Sequence, residues 1–285
     1  MLQTDPFFQI PEYELPLPCL DRDITILQMS DLHLAVAEET SSAEWKQQAE
    51  KCRENWKRGR LDFAAMFGDS CDPVHLAEPE AILEKFIDLA NCLRPDALLM
   101  SGDMQDLFHE ETLRFLENAL SRLQVPWMFV RGNHDDGAAE IYDPLTQNGA
   151  AVQQLQLGKL TLLGIHNGEK RVTAAQLQAL RHTAQTAAAE GQCPVLAMHI
   201  PVVTPCNQTQ TACFDPYFLL GAGEADADSQ AFLQWLQSAD CPIHALLCGH
   251  VHGSHRSCFA PGKPQICCSS ALVGAGAIIR FVPET

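Results

Sequence analysis

Five apolar runs in this sequence are each followed at once by residues that could bind a metal ion. Asp31 and His33 come directly after ITILQMS, and Asp103 and Asp106 come soon after ALLMS. The other three runs lead into the segments RGNHDD (131–136), HIP (199–201) and GHVHG (249–253). Imidazole, carboxylate and amide groups without a thiolate suit Mn, Fe, Zn and similar divalent ions. The residue types therefore predict a divalent-metal site.

The spacing of these residues indicates which side chains share a site. Asp31 and His33 are two residues apart, and so are His250 and His252, which on an extended segment places each pair on one face. Ligands of α/β proteins bind at the carboxyl ends of the strands, so we expect the five segments to meet at one edge. The candidate ligands are Asp31, His33, Asp103, Asn133, His199, His250 and His252. They are too many for one tetrahedral ion and suit two ions that share a bridging carboxylate.

Strand-length apolar runs alternate with helix-period segments along the chain. The runs predicted as strands are ITILQM (24–29), ALLMS (97–101), PWMFV (126–130), LTLLGI (160–165), PVLAM (194–198) and IHALLC (243–248), with a β-rich tail over 255–283. Apolar residues at three- and four-residue spacing predict helices over 78–94, 110–123, 173–190 and 227–239. Thr173 and Asp226 fit the N-cap positions of the last two helices. This alternation predicts an α/β layered fold.

The length of 285 residues and the hydrophobic content of 46% suit a single domain over 1–285. Two stretches are predicted to interrupt it, a helical insertion over 38–76 and a lid-like loop over 204–228. Loops of this length without clear periodicity are uncommon unless they serve a purpose. No apolar run reaches the roughly 18 residues of a membrane helix, and the N-terminus lacks the pattern of a signal peptide.

These features predict a cytoplasmic protein, and the cysteines agree with that location. The chain has 12 cysteines, and their spacing shows no CxxC and no zinc-ribbon pattern. Thiols in a reducing compartment explain them better than a disulfide framework, which a chain of this length does not need.

The five motifs in this order resemble the calcineurin-like metallophosphoesterase superfamily. They are Asp-x-His at 31–33, Gly-Asp at 102–103, Gly-Asn-His-Asp at 132–135, His at 199 and Gly-His-x-His at 249–252. Each motif alone occurs by chance, but all five after strands form a specific pattern that extends over nearly the whole chain. The resemblance implies a four-layer α/β/β/α sandwich of two mixed β-sheets flanked by helices. It also implies a metal-dependent phosphoric ester hydrolase.

The resemblance gives each motif residue a role. Asp103 would bridge two divalent ions (Mn, Fe or Zn), and a hydroxide between the ions would attack the ester in line. His134 would act as the general acid or bind phosphate, and Asp135 would orient it. The first ion would be held by Asp31, His33 and His252, and the second by Asn133, His199 and His250.

The charge balance restricts the partners that we expect. The chain has 36 acidic and 19 basic residues, a net charge of −17. Long nucleic acid is bound mostly through Lys and Arg contacts to phosphates, which such a charge opposes. Two divalent ions, offset by Asp31, Asp103 and a hydroxide, would still leave the site positive. We therefore expect a small phosphate-ester substrate, no long nucleic acid and no membrane, while the oligomeric state is not indicated.

The residues after the bridging position narrow the activity. Protein Ser/Thr phosphatases of this superfamily carry an arginine soon after the bridging aspartate, whereas this chain has GDMQDLF (102–108). The pattern is most similar to the cyclic-nucleotide-phosphodiesterase-like branch. We therefore predict hydrolysis of small phosphodiesters or phosphomonoesters, with nucleotides as candidates. A metal-free scaffold on the same fold and a nuclease acting on short single strands are the alternatives.

Several local assignments stay open. His199 could be a core histidine, and Asp69 of FGDSCD (67–72) could take the bridging position instead of Asp103, which follows the better strand. Asp106 is predicted to support the site or lie at the surface rather than to bind metal. Four aromatic residues of the two insertions could stack on a substrate ring or pack the insertions onto the body: Trp45, Trp56, Tyr217 and Phe218. Packing is favoured for the two tryptophans and pocket lining for the other two.

Overall fold

Two mixed β-sheets pack face to face, and helices cover the outer face of each. The structure, a computed structural model, describes residues 8, 10–67, 78–135, 137, 139–211 and 218–284. The strands are β1 Glu12–Leu17, β2 Ile24–Met29, β3 Ala97–Met100, β4 Trp127–Phe129, β5 Gln153–Leu157, β6 Leu160–Gly164, β7 Cys193–Ala197, β8 Leu246–Cys248, β9 His255–Ala260, β10 Lys263–Cys267 and β11 Ala277–Pro283. The first sheet has the order β1-β11-β2-β3-β4, and the second has the order β5-β6-β7-β8-β10-β9.

The central strands of both sheets run parallel to one another. In the first sheet β2, β3 and β4 are parallel and β11 is antiparallel to β2. In the second sheet β6, β7, β8 and β10 are parallel, and β5 and β9 are antiparallel strands at its two edges. Every residue of β3, β6, β7 and β8 is buried, which explains why these strands read as unbroken apolar runs.

The described part of the chain contains six α-helices, and several of them begin at a residue whose side chain caps the first turn. They are α1 Ala43–Phe67, α2 Pro79–Leu93, α3 Glu110–Leu120, α4 Ala174–Ala189, α5 Pro205–Thr211 and α6 Ala227–Gln237. The Thr173 hydroxyl accepts a bond from the Gln176 backbone, and the Gln176 side chain bonds back to the Thr173 N–H, a capping box. The Asp226 carboxylate accepts from the Ser229 N–H at 2.8 Å. Both predicted N-caps are therefore confirmed.

Three apolar cores correspond to the three interfaces between four layers. Leu99 and Val195 belong to the core between the two sheets. Phe86 belongs to the core where α2 and α3 cover the first sheet, and Phe232 belongs to the core where α4 and α6 cover the second. This arrangement confirms the predicted α/β/β/α sandwich. No helix in the described part of the chain combines the length and apolar character that crossing a bilayer requires.

Two edge strands were not expected from the sequence. β1 reads EYELPL and lies at the edge of the first sheet, where a proline is tolerated because one side of the strand needs no pairing. β5 reads QQLQL and lies at the edge of the second sheet with exposed glutamines. The predicted insertion over 38–76 contains α1, and 68–76 lie outside the described residues. The predicted loop over 204–228 contains α5, and 212–217 lie outside them.

Candidate metal centre

The candidate ligands lie where five parallel strands of the two sheets end. They follow β2 (Asp31 and His33), β3 (Asp103), β4 (Asn133), β7 (His199) and β8 (His250 and His252). Backbone bonds tie neighbouring strand ends together, because the His33 N–H donates to the Asp103 carbonyl at 3.0 Å. The Gly249 N–H likewise donates to the His199 carbonyl at 2.9 Å. The structure thus brings all seven side chains to one edge of the sandwich.

The first group of donors consists of Asp31, His33 and His252. Their ligand atoms lie within 4.8 Å of one another, and all three side chains are buried. The Nε2 atom of His252 lies 3.3 Å from Oδ1 of Asp31 and 3.2 Å from Nε2 of His33. Two imidazole nitrogens and a carboxylate oxygen therefore point at a common position.

The second group of donors consists of Asp103, His199 and His250, again with ligand atoms within 4.8 Å. The Nε2 atom of His199 lies 3.1 Å from Oδ2 of Asp103 and 3.2 Å from Oδ1 of Asn133. The same Oδ2 atom of Asp103 lies 4.0 Å from Nε2 of His33 in the first group. Asp103 therefore lies between the two groups.

Five of the seven candidate ligands have left-handed backbone conformations. Their φ angles are 55° for Asp31, 50° for His33, 54° for Asp103, 70° for His250 and 53° for His252. Residues other than glycine seldom adopt such angles, which cost on the order of 1–3 kcal/mol each. The strand ends thus turn sharply at the ligands themselves, and this turn aims the side chains at the centre.

Glycines allow the strand ends to approach one another closely. A Cβ atom on Gly132 would contact the Asp103 carboxylate and lie 2.5 Å from the Asp103 backbone nitrogen. A Cβ atom on Gly102, whose φ is 105°, would collide with the ring of His199. These two positions need glycine because the ligand-bearing loops touch there.

Strong electrostatic coupling links the buried carboxylates and imidazoles. Burial alone would raise the pKa of Asp31, but the charge and hydrogen bond of His252 and the charge of His199 lower it to about 2. Burial opposes charge on Asp103 as well, yet the charge and hydrogen bond of His199 bring its pKa well below the usual range. Conversely, burial would lower the pKa of His199, but the charge and hydrogen bond of Asp103 raise it to about 9.

His250 behaves differently from His199. Burial and then the charge of His199 lower the pKa of His250 to about 3, so its ring is neutral. A neutral imidazole has a nitrogen lone pair to offer to a metal ion. The side chain of Phe218 stacks on this ring, with centroids 4.0 Å apart and planes at 20°.

The donor set fits divalent cations. Among the residues that the structure describes, the ion-pair partners of Asp31 and Asp103 are histidines rather than lysines or arginines. The Nε2 atoms of His33 and His252 also face each other at 3.2 Å. Without a cation between them, their two lone pairs would repel each other unless the nitrogens shared a proton. Cations among these atoms would neutralise the carboxylates and accept the nitrogen lone pairs. Two donor groups that meet at Asp103 fit two such ions.

His134 lies at the solvent side of the centre and is held by Asp106. Its side chain is 34% exposed, and its Nδ1 atom lies 3.1 Å from Oδ1 of Asp106 and 3.0 Å from the Asp106 carbonyl oxygen. Asp106 is thus placed as a supporting carboxylate. Burial alone would lower the pKa of His134, but the bond to Asp106 and the charge of Asp103 raise it to about 9.

Asp135 is buried beside His134 but does not orient it in the way that the resemblance implied. Its carboxylate accepts bonds from the backbone N–H groups of Asp103 at 2.7 Å and of Gln105 and Gly132 at 2.9 Å. Both carboxylate oxygens are therefore engaged with the backbone, and the carboxylate contacting the His134 ring is Asp106. Asp135 instead fixes the loops after β3 and β4 against each other. Burial and the charge of Asp103 raise its pKa to about 6.

Two further residues at the centre were not assigned to it from the sequence. Trp56 of α1 stacks on the ring of His33 with centroids 3.8 Å apart, and its Nε1–H donates to Asp106 at 2.7 Å. Asn167 fixes the loop after β7, because its Oδ1 accepts from the N–H groups of His199 and Ile200 at 3.0 Å. The tryptophan was expected to pack an insertion, and the asparagine follows β6 without a recognisable motif.

The open alternatives have different outcomes. His199 is buried, but its Nδ1 is 2.8 Å from the Ser101 carbonyl oxygen while Nε2 faces Asp103 and Asn133, an orientation typical of a metal-binding histidine. Trp45 stacks on His109, with ring centroids 3.9 Å apart, and bonds to the Val36 carbonyl, so it packs α1 onto the body. Asp69 and Tyr217 lie outside the described residues.

The chain belongs to the calcineurin-like phosphoesterase family, whose family model matches residues 24–254. The match covers most of the chain and includes every candidate ligand. This is the family that the sequence motifs resembled, so the predicted family is confirmed.

Two relatives illustrate what the chain resembles. A protein of Rhodococcus erythropolis, named a probable cyclic nucleotide phosphodiesterase, is 28% identical over 196 residues. That match covers 64% of this chain, and the chain spans only 59% of the length of this relative. The crystal structure of a dimetal phosphatase from Danio rerio has a TM-score of 0.60 at 13% identity, covering 93% of this chain and 94% of that one. This second likeness concerns the fold.

Proposed function

We propose that this phosphoesterase hydrolyses small phosphodiesters or phosphomonoesters, nucleotide esters among them, with two divalent metal ions. The observation that carries the proposal is the position of Asp103 between the two groups of donors. One of its carboxylate oxygens lies 3.1 Å from Nε2 of His199 and 4.0 Å from Nε2 of His33. A carboxylate placed in this way can serve both ions at once.

We assign the remaining ligands to the two ions by these groups. Asp31, His33 and His252 would hold the first ion, and Asn133, His199 and His250 the second, with Mn, Fe or Zn as the candidate metals. When bound, two such ions supply an activated water at neutral pH and positive charge for the ester oxygens. The carbonyl oxygen of Ser101 bonds to Nδ1 of His199 and so holds the ring with Nε2 toward the metal position.

His134 would supply the proton that the leaving oxygen needs. Its Nδ1 atom is engaged with Asp106, which leaves Nε2 as the atom that donates to the ester. Because Asp106 holds the ring on the solvent side of the centre, the imidazole would meet the substrate there. The proton would pass from Nε2 to the leaving oxygen as the phosphorus–oxygen bond breaks.

The surroundings of the centre favour small esters over polymers. The net charge of −17 opposes long nucleic acid, while the centre itself would be locally positive with two ions bound. Asn133 is exposed and His134 half-buried, so the substrate would enter on their side. The printed name of the Rhodococcus relative supports a diester. Phe218, stacked on His250, would line the entrance for a planar leaving group.

The test combines metal content with a panel of esters. The protein is purified with chelator, loaded with manganese and assayed on bis-p-nitrophenyl phosphate, p-nitrophenyl phosphate and cyclic nucleotides. Wild type is compared with Asp103→Asn and with Asp88→Asn, a control on the exposed face of α2. We expect about two equivalents of manganese and ester hydrolysis in wild type and control, and loss of both in Asp103→Asn.

Two outcomes would contradict the proposal. A wild-type protein that folds but retains no manganese would support the metal-free scaffold instead. A protein that holds two ions and cleaves short single-stranded oligonucleotides, but none of the small esters, would support the nuclease.

A further inference from the structure

A second cluster of metal-binding side chains lies away from the candidate metal centre. It consists of Cys19, Cys193 and His244, whose sulfur and nitrogen atoms lie within 4.8 Å of one another. Cys19 is in the turn between β1 and β2, Cys193 is the first residue of β7, and His244 comes shortly before β8. These residues are far apart in sequence, so no metal-binding motif predicts that they form a cluster.

The cluster lies at the opposite edge of the sandwich from the candidate centre. Cys193 begins β7, whereas His199 lies just past its end. Six residues of extended chain separate two such positions by about 20 Å. The two sites therefore share no ligand and cannot exchange an ion by a small side-chain movement.

The donors are of the types that zinc binds, and their spacing is compatible with a single ion. Zinc binds cysteine sulfur at about 2.3 Å and histidine nitrogen at about 2.0–2.1 Å in tetrahedral sites. With these bond lengths, the donor atoms of a tetrahedral site lie about 3.5–4 Å apart. The three donor atoms here lie within 4.8 Å of one another, so a small movement would bring them to that separation. Cys19 and His244 are half-buried, so an ion can reach the cluster from solvent.

The carboxylate-bearing residue Glu284 lies at the same edge. Glu284 follows β11, and its N–H donates to the Leu17 carbonyl at 3.1 Å, two residues before Cys19. Its charge acts on both Cys193 and His244, and the charge of Lys263 opposes it at His244. A carboxylate or a water can complete a site that has three protein ligands.

We propose that Cys19, Cys193 and His244 bind a zinc ion that fastens the β1–β2 turn of the first sheet to the second sheet. Cys193 belongs to the core between the sheets, and Cys19 packs against that core. Binding replaces two thiol protons by one divalent ion, and those protons are released to solvent.

Cobalt gives a readout that separates this site from the candidate centre. That centre contains no thiolate, so sulfur-to-cobalt charge-transfer absorption in the near ultraviolet can arise only from cysteine ligands. The protein, purified under reducing conditions and loaded with Co²⁺, should show this absorption, and zinc should compete it away. Cys258→Ser is the matched control, because Cys258 is an exposed thiol of β9.

We expect the absorption to disappear in Cys193→Ser and Cys19→Ser, and to persist in Cys258→Ser and Asp103→Asn. The zinc content should fall by one equivalent in both cysteine variants, and their ester hydrolysis should remain. If the buried substitution Cys193→Ser prevents folding, His244→Gln tests the same site at a half-buried side chain. Chelation should lower the melting temperature of wild type by more than that of Cys19→Ser.

Three results would overturn the proposal. The first is wild-type protein without thiolate–cobalt absorption. The second is equal zinc content in wild type and both cysteine variants. The third is a Cys19–Cys193 disulfide, found by mass spectrometry in protein purified under reducing conditions. Such a bond would leave no thiolates to bind zinc.

Discussion

The ring of His134 contacts the carboxylate of Asp106, with Nδ1 and Oδ1 3.1 Å apart, although Asp135 is its immediate neighbour in sequence. Asp106 also lies 3.4 Å from Nδ1 of His33 and accepts the indole N–H of Trp56. One carboxylate therefore orients a candidate metal ligand and the proposed proton donor together. Asp135, in contrast, accepts bonds from backbone N–H groups, so the two carboxylates have separate tasks.

Asp106→Asn should lower kcat/KM by about 10- to 100-fold while the fold is retained, because supporting partners of metal ligands contribute on that scale. The change should also lower the pKa of His134 from about 9, since burial opposes its charge and the bond to Asp106 is the largest contribution that favours it. His134 acts in its protonated form, so activity falls as the pH rises through its pKa. The alkaline limb of the pH profile should therefore move to lower pH. An unchanged profile with reduced activity would contradict this role for Asp106.

Asp135→Asn should mainly reduce stability. The Oδ2 atom of Asp135 accepts from the N–H groups of Asp103 and Gly132, and Oδ1 accepts from Gln105. An amide keeps one accepting oxygen and turns an NH₂ group toward the remaining N–H. We expect the free energy of unfolding to fall by about 1–3 kcal/mol, measured by urea denaturation. A variant as stable as wild type, with activity lost, would instead give Asp135 a direct catalytic task.

Trp56 should contribute to the centre through two separable contacts. Trp56→Phe keeps an aromatic ring on His33 but removes the donor to Asp106, whereas Trp56→Ala removes both. We expect manganese affinity and kcat/KM to fall modestly in the first variant and further, by about tenfold or more, in the second. Titration of metal-depleted protein with manganese measures the affinity. Equal behaviour of both variants and wild type would show that Trp56 only packs α1.

Gly132→Ala should disrupt the centre more than its size suggests. The added Cβ would contact the carboxylate and backbone of Asp103, so the loop after β4 or that after β3 must shift. We expect loss of manganese binding and of ester hydrolysis. Gly191→Ala is the control, because its φ of 73° strains alanine while no atom lies within 4 Å of the added Cβ. It should cost about 1 kcal/mol of stability and leave activity intact, and an active Gly132→Ala would contradict the close approach described here.

The sequence predicted that the candidate ligands would meet, because their chemistry and their position at strand ends coincide. His33 and Asp103 each end an apolar run, and parallel strands bring such ends together whatever lies between them. The helices were predictable for a similar reason, since their apolar periodicity and their caps at Thr173 and Asp226 are local. The caps decide where a helix starts before any tertiary contact forms.

Contacts made by distant segments were not predictable. Trp56 reaches His33 only because α1 folds back over the edge of the sandwich, and no periodicity encodes that docking. Asn167 follows an ordinary strand, and its value lies in the two backbone N–H groups that it satisfies near His199. The edge strand β1 contains Pro16, which argues against a strand until its position at the edge is known.

The left-handed turns at the candidate ligands mean that backbone strain is concentrated at the candidate metal centre. Replacing His33 or His250 by glycine would relieve a backbone angle that an L-amino acid resists. An inactive enzyme of this kind can therefore be sturdier than the working one. Directed evolution that selects for heat resistance alone would favour replacement of these ligands by glycine. Such an experiment must therefore also select for catalytic turnover.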